Sequence, residues 1–177
     1  AKRTHAMNMN TFCAQATEKS VFSALLILVC LTLLYAPAVD NSFQYDDRHS
    51  IVENPHLRVL DNWQAFFVDP TLFSRDADKA MYRPLVLLSL ALNYAWSGYE
   101  THSYHWFNLG IHALCALLVW GILLRLGRPP WMALLGGLFF ALHPLCAEPV
   151  NYISSRSELM AGLGCLGALW FYIGSVQ

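Results

Sequence analysis

Charge is what this chain has least of. Charged residues are 13% of its 177 residues against 56% hydrophobic ones, where an ordinary soluble domain carries roughly 25% charged. So little polar surface implies lipid as the solvent. The 11 Lys and Arg are balanced by 12 Asp and Glu for a formal net charge of -1, and they form no basic stripe of the kind that tracks phosphates, which excludes nucleic acid as a partner. Its five cysteines, Cys13, Cys30, Cys115, Cys146 and Cys165, have no CxxC spacing. They predict neither a zinc site nor a disulfide framework and read as small packing residues.

What is present is a set of long apolar runs. Residues 21–39 are almost uninterruptedly apolar and as a helix would measure about 28 Å, close to the hydrocarbon thickness. This predicts a first span. The alternative, a cleaved signal peptide, draws on Lys2, Arg3 and Lys19 before the run and on Ala36-Pro37-Ala38 within it. Further spans are expected at about 104–126, 131–143 and 159–176, the third stopping short at His143-Pro144. The fold class that follows is an all-α integral membrane protein, a polytopic helical bundle of about four spans. The chain starts at Ala1 and ends at Gln177 directly after an apolar run, which predicts a piece of a longer protein.

Residues 40–103 break the pattern. Nine of the twelve acidic residues lie between Asp40 and Tyr104, with Asn41, Pro55, Asn62, Pro70 and Gly98 as breakers. A large hydrophilic outer loop with its own short elements is expected there. Within it the apolar stretch opened by Tyr82-Arg83-Pro84-Leu85 is too short to span and has Pro at a first helical position, so it reads as a helix lying at the interface. Lys2, Arg3 and Lys19 before the first span and Arg125 and Arg128 after the second fall on one side. The positive-inside rule then makes residues 1–20 a cytoplasmic N-terminal segment and the acidic loop extracytoplasmic, in a bacterial plasma membrane or an endoplasmic reticulum.

Several polar residues could carry chemistry. Asp46 and Asp47 are adjacent carboxylates at the membrane edge, where mutual repulsion can poise one as a base; a solvated acidic loop is the other reading. Arg83 could fork onto a phosphate or carboxylate, or simply snorkel to the headgroups. His105, Asn108 and His112 share one face of the second span, for bonds between helices or for a polar pocket. At about 10 Å apart along the axis, the two histidines are too distant to share a metal. His143-Pro144 and Glu148-Pro149 place irregular backbone near membrane depth, which is tolerated only when buried in protein or lining a cavity. Ser155-x-x-Glu158 has capping-box spacing for the fourth helix, which accounts for Glu158 but not for Arg156.

In order and spacing, Tyr45-Asp46-Asp47 with Ile51 and Asn54, Tyr82-Arg83-Pro84-Leu85, His105-x-x-Asn108-x-x-x-His112, and His143-Pro144-x-x-x-Glu148 through Arg156-x-Glu158-Leu159 resemble the GT-C superfamily of polyprenyl-phosphate-sugar glycosyltransferases. They are most similar to the N-terminal part of the transmembrane and tetratricopeptide-repeat O-mannosyltransferases, over about residues 43–171. The resemblance implies transfer of a hexose, mannose first, from a polyprenyl-phosphate donor to a protein Ser or Thr hydroxyl with inversion. It implies Asp46 or Asp47 as the catalytic base. Donor-phosphate or substrate binding would fall to Arg83, Arg156, Glu158, Glu148, His143, His105, Asn108 and His112. No cofactor is firmly implied and a divalent metal stays open. The partners implied are membrane lipid, the lipid-linked donor and a protein or glycan acceptor. The departure from the family is length: later spans and repeats are absent, so the isolated chain is expected to lack activity. A GT-C transferase acting on a lipid or glycan, or a non-catalytic polytopic protein or transporter, are the competing readings.

Overall fold

The computed structural model describes residues 9–176, with side chains from Ser20 onward apart from Ala77. Lys2 and Arg3 lie outside the described residues, as do the side chains of Cys13 and Lys19. Six α-helices carry the chain: α1 (Met9–Tyr35), α2 (Pro84–Ser97), α3 (Thr101–Arg125), α4 (Pro130–Ala141), α5 (Ala147–Asn151) and α6 (Arg156–Val176), and no strand occurs among the described residues. Ser20–Asp40, Thr101–Arg125 and Ile153–Val176 are each long and apolar enough to cross a membrane, and Pro130–Ala141 with Pro144–Asn151 makes a fourth candidate bent by 48°. The chain is therefore an all-α membrane protein.

Helix boundaries follow local chemistry. Pro84 and Pro130 open α2 and α4, where a missing N–H costs nothing. Gly98 at φ +59° closes α2, its N–H donating to the Tyr94 carbonyl, a backbone conformation that a Cβ disfavours. Both α1 and α6 begin earlier than the apolar runs suggest, at Met9 and Arg156, because helix propensity continues past the apolar residues into polar ones. The α4 helix ends at Ala141, His143 is extended (ψ 131°) as a residue before proline must be, and its ring Nδ1 accepts from Leu145 N–H at 3.2 Å.

The central helix is α3. It packs against α1, α4 and α6, and 44% of its spanning window is buried, against 22% for the first span and 11% for the last. Ile27 and Leu31 of α1, Ile111 and Ala116 of α3 and Leu159 of α6 share the membrane core. A Cβ on Gly137 would come within 2.7 Å of Ile27 and 2.9 Å of Trp120, so a glycine there lets α4 approach both α1 and α3.

The outer loop has a core of its own. Ile51, Leu57, Phe66 and Phe73 pack on Val86, Leu87, Leu90 and Ala91 of α2, with Tyr104 and Ile153 closing the cluster. The α2 helix thus buries one face under the loop while Leu85, Leu92 and Trp96 stay exposed on the other. Asn54, fully buried, ties this cap together: its amide N–H groups face the Ser50, Leu72 and Phe73 carbonyls at 3.2, 3.0 and 3.1 Å, and its oxygen accepts from His56 N–H. The expected hydrophilic loop is a folded cap because scattered apolar residues, none periodic, meet only in three dimensions.

Candidate active site

The acidic pair sits on a strained turn. Tyr45 has φ +42°, alone among the described non-glycine residues in that region, and such strain tends to persist where surrounding structure enforces it. Immediately after it the two carboxylates diverge. Asp47 is 1% exposed. Its Oδ1 accepts from Ser154 N–H at 2.8 Å and Ser154 Oγ at 2.5 Å, and its Oδ2 accepts from Gln44 N–H at 3.0 Å. Burial pushes this carboxyl above the usual carboxylate range, against the opposing pull of those hydrogen bonds. The Asp46 side chain is 66% exposed and touches His49 Nε2 through Oδ1 at 3.3 Å. Its backbone is held instead: Asp46 N–H donates to Tyr152 Oη at 2.8 Å, and its carbonyl accepts from Ser50 Oγ at 2.6 Å. Asp47 is thereby committed to holding the fold, and Asp46 is left facing outward.

The segment Tyr152–Ser157 gathers the remaining motifs. Besides Tyr152 and Ser154, it carries Ser157, whose hydroxyl accepts from Arg83 Nη1 at 3.1 Å; the half-buried Arg83 also lies over the Phe73 ring. Arg156 is fully buried. Its Nε donates to Asn108 Oδ1 at 2.7 Å, Nη1 to Asn93 Oδ1 at 2.7 Å and Ser89 Oγ at 3.1 Å, and Nη2 to the Tyr104 carbonyl at 3.2 Å. Its guanidinium also stacks 4.6 Å from the Phe107 ring. Arg156 therefore clasps α2, α3 and the start of α6 together, whereas Arg83 is the cation nearer the surface.

The polar face of α3 serves the irregular backbone around it. His105 Nε2 meets the Asn41 carbonyl at 3.0 Å, where the first span ends. Asn108 Nδ2 faces the Pro149 and Tyr152 carbonyls at 3.4 and 3.5 Å, and His112 Nε2 meets the Ala141 carbonyl at 3.0 Å, where α4 stops. All three are buried and satisfy carbonyls that helix breaks leave free, which such breaks require at membrane depth. Glu148 and Glu158 are exposed and His143 is half-buried beside the Phe139 ring; none of the three is hydrogen-bonded to the acidic turn. The structure thus brings Asp46, Asp47, Arg83, Asn108 and Arg156 around one segment and leaves Glu148 and His143 on the bent third span. Among the described residues no group of three or more His, Cys, Asp or Glu side chains could hold a metal ion.

His49, Tyr152 and Ser154 escape sequence reasoning. Their roles come from contacts such as that between Ser154 and Asp47, 107 residues apart, which no local pattern encodes. Below the cap, α2, α3 and α6 enclose an almost wholly apolar groove of about 1070 Å³, lined by Leu85, Trp96, Trp106, Phe107, Leu114 and Leu163 among others. Phe107 is also the ring on which Arg156 stacks, so groove and polar clasp share a wall.

No family model and no solved structure matches the chain. Curated proteins do. The chain is 32% identical over 144 residues to the protein O-mannosyl-transferase tmtc2 of Xenopus laevis, covering 80% of this chain and 17% of that protein. It is 34% identical over 144 residues to protein O-mannosyl-transferase TMTC2 of Homo sapiens, covering 79% and 17%, and 29% identical over 179 residues to the Tmtc2 protein of Drosophila melanogaster, covering 99% and 18%. It spans about one-sixth of the length of these relatives. The chain is a homologue of the protein O-mannosyl-transferases.

Proposed function

We propose that this chain forms part of a membrane glycosyltransferase that moves mannose from a polyprenyl-phosphate donor to a protein Ser or Thr hydroxyl on the extracytoplasmic or lumenal face. The observation that carries the reading is the meeting of an outward-facing Asp46 with the Tyr152–Ser157 segment that also binds Arg83, above an apolar groove. The names of the relatives supply the sugar and the kind of acceptor.

In this reading Asp46 takes the hydroxyl proton as the acceptor oxygen attacks the anomeric carbon. The new C–O bond forms on one face while the bond to the phosphate oxygen breaks on the other, and the lipid phosphate leaves with the electron pair. A phosphate leaving as an anion needs a positive charge near it rather than a proton, and of the two arginines at the Tyr152–Ser157 segment the half-buried Arg83 is the one still accessible for that. Arg156 acts from within, holding the segment in place, since its donors are engaged by protein acceptors. The groove, walled by Leu85, Trp96, Phe107 and Leu114, suits a polyprenyl tail.

The test uses the full-length protein in lipid, offered a panel of radiolabelled polyprenyl-phosphate sugars, followed by identification of the labelled acceptor. Mannose on Ser or Thr of protein is expected, with Asp46→Asn lowering turnover by roughly 10²-fold or more. Label appearing only in lipid or free glycan refutes the protein acceptor. Normal turnover by Asp46→Asn refutes the base.

A further inference from the structure

Besides the Tyr152 hydroxyl, the side chain of Asp46 meets a neighbour on the cap that is itself fixed. His49 lies one turn on, in the wide helical turn Arg48–Val52, and is 8% exposed. Its Nδ1 is 2.9 Å from Ser74 Oγ and its Nε2 is 3.3 Å from Asp46 Oδ1. Ser74, 2% exposed, already accepts from Asp76 N–H at 3.0 Å, so its hydroxyl proton is free to donate to His49 Nδ1. The other end decides the proton on Nε2: a carboxylate acting as a base is ionised and only accepts, so the nitrogen facing Asp46 must be the donor, while Ser74 Oγ can pair with Nδ1 as donor or acceptor.

We propose that His49 is a positioning residue for Asp46, an inference that rests on the reading of Asp46 as the base. The Nε2–H occupies Oδ1, which turns the carboxylate so that Oδ2 faces the acceptor hydroxyl. With the Asp46 backbone pinned by Tyr152 and Ser50, two side-chain torsions remain, and the contact with His49 restrains them. Ser74 stands behind, holding the ring in place through Nδ1.

The experiment compares His49→Leu, His49→Gln and Asp46→Asn in the full-length protein, reading kcat and KM separately. His49→Leu removes the donor and is expected to lower kcat by about ten- to a hundred-fold, the range for losing one hydrogen bond to a charged group, with KM little changed. Gln carries an amide N–H where Nε2–H stood, so it should recover most of the loss. In an Asp46→Asn background, His49→Leu should cost nothing further, because the group it orients is gone.

Equal losses in the Leu and Gln variants, or normal turnover in both while Asp46→Asn is inactive, overturn the role of His49 and leave Asp46 as base. Normal turnover in Asp46→Asn overturns both readings at once. Should the leucine variant fail to fold, His49→Phe carries the test by keeping a ring without the donor: a fall in kcat of about ten- to a hundred-fold at constant KM is expected, as for loss of one such bond, and unchanged kcat overturns the proposal.

Discussion

Arg156→Met should unfold the clasp rather than merely lower activity. The wild-type guanidinium is fully buried and none of its four hydrogen-bond partners is acidic, so two effects oppose one another. Removing a buried cation returns its desolvation cost, several kcal/mol in a real interior. Against that, Asn108 and Asn93 keep amide oxygens aimed at an apolar side chain. Neither can rotate its amide without loss, because Asn108 Nδ2 faces the Pro149 and Tyr152 carbonyls and Asn93 Nδ2 faces the Ser103 carbonyl. Each stranded acceptor costs about 1–3 kcal/mol, and hydrogen bonds to a charged group are each worth about 1.5–3 kcal/mol net of that desolvation. Ser89 loses less, since its hydroxyl still donates to the Val86 carbonyl. The balance falls at about 2–4 kcal/mol of destabilisation, which for a chain of this size lowers the melting temperature by roughly 5–15 °C. Thermal unfolding in detergent, read by tryptophan fluorescence, measures it, with Asn93→Leu as the second edge of a double-mutant cycle. Lys is expected to fall between, since one ammonium does not span both amides. A melting temperature for Arg156→Met within a degree or two of the parent would refute the clasp.

Three further outcomes follow from the geometry. Asn54→Asp turns the amide donor that faces three loop carbonyls into an acceptor, so the cap should open with a loss of about 3 kcal/mol or more; limited proteolysis within residues 40–100 reads this, and unchanged resistance argues against Asn54 as the tie. Asp47, with its folded-state carboxyl pushed up by burial, takes up its proton at higher pH in the folded chain than in the unfolded one, so its own contribution to stability rises as pH falls through that window and is lost as pH rises through the folded value. A carboxyl-carbon NMR titration should place it above the ordinary range, with Asp69 and Asp76 below it, because hydrogen bonds from Thr71 and Arg75 favour their ionised forms. An Asp47 midpoint at or under the ordinary range contradicts the assignment. Finally, Asp78→Cys, at an exposed loop position, should react with a membrane-impermeant maleimide from the extracytoplasmic side; reaction only from the cytoplasmic side reverses the proposed orientation.

The sequence by itself determined the solvent and the coarse architecture. Apolar runs, the prolines at 84, 130 and 144, and the helical spacing of His105, Asn108 and His112 are local features, and secondary structure in lipid responds to local features because an exposed backbone has no water to satisfy it. That physics also predicts the bend after Ala141, which the structure contains. Only the tertiary structure decided which acidic neighbour is free. Asp46 and Asp47 are chemically alike and adjacent; a turn with Tyr45 at positive φ sends one toward Ser154 and the other outward. Likewise Arg83 and Arg156 are equivalent as sequence, yet one reaches a half-buried serine and the other disappears into a cage of amides and a carbonyl. The cap core of Ile51, Leu57, Phe66 and Phe73 has no period to betray it, because irregular segments acquire an interior through packing on a distant helix rather than through their own repeat. Burial and pairing are properties of contacts across about fifty to a hundred residues of chain, and at that separation sequence spacing carries no geometry.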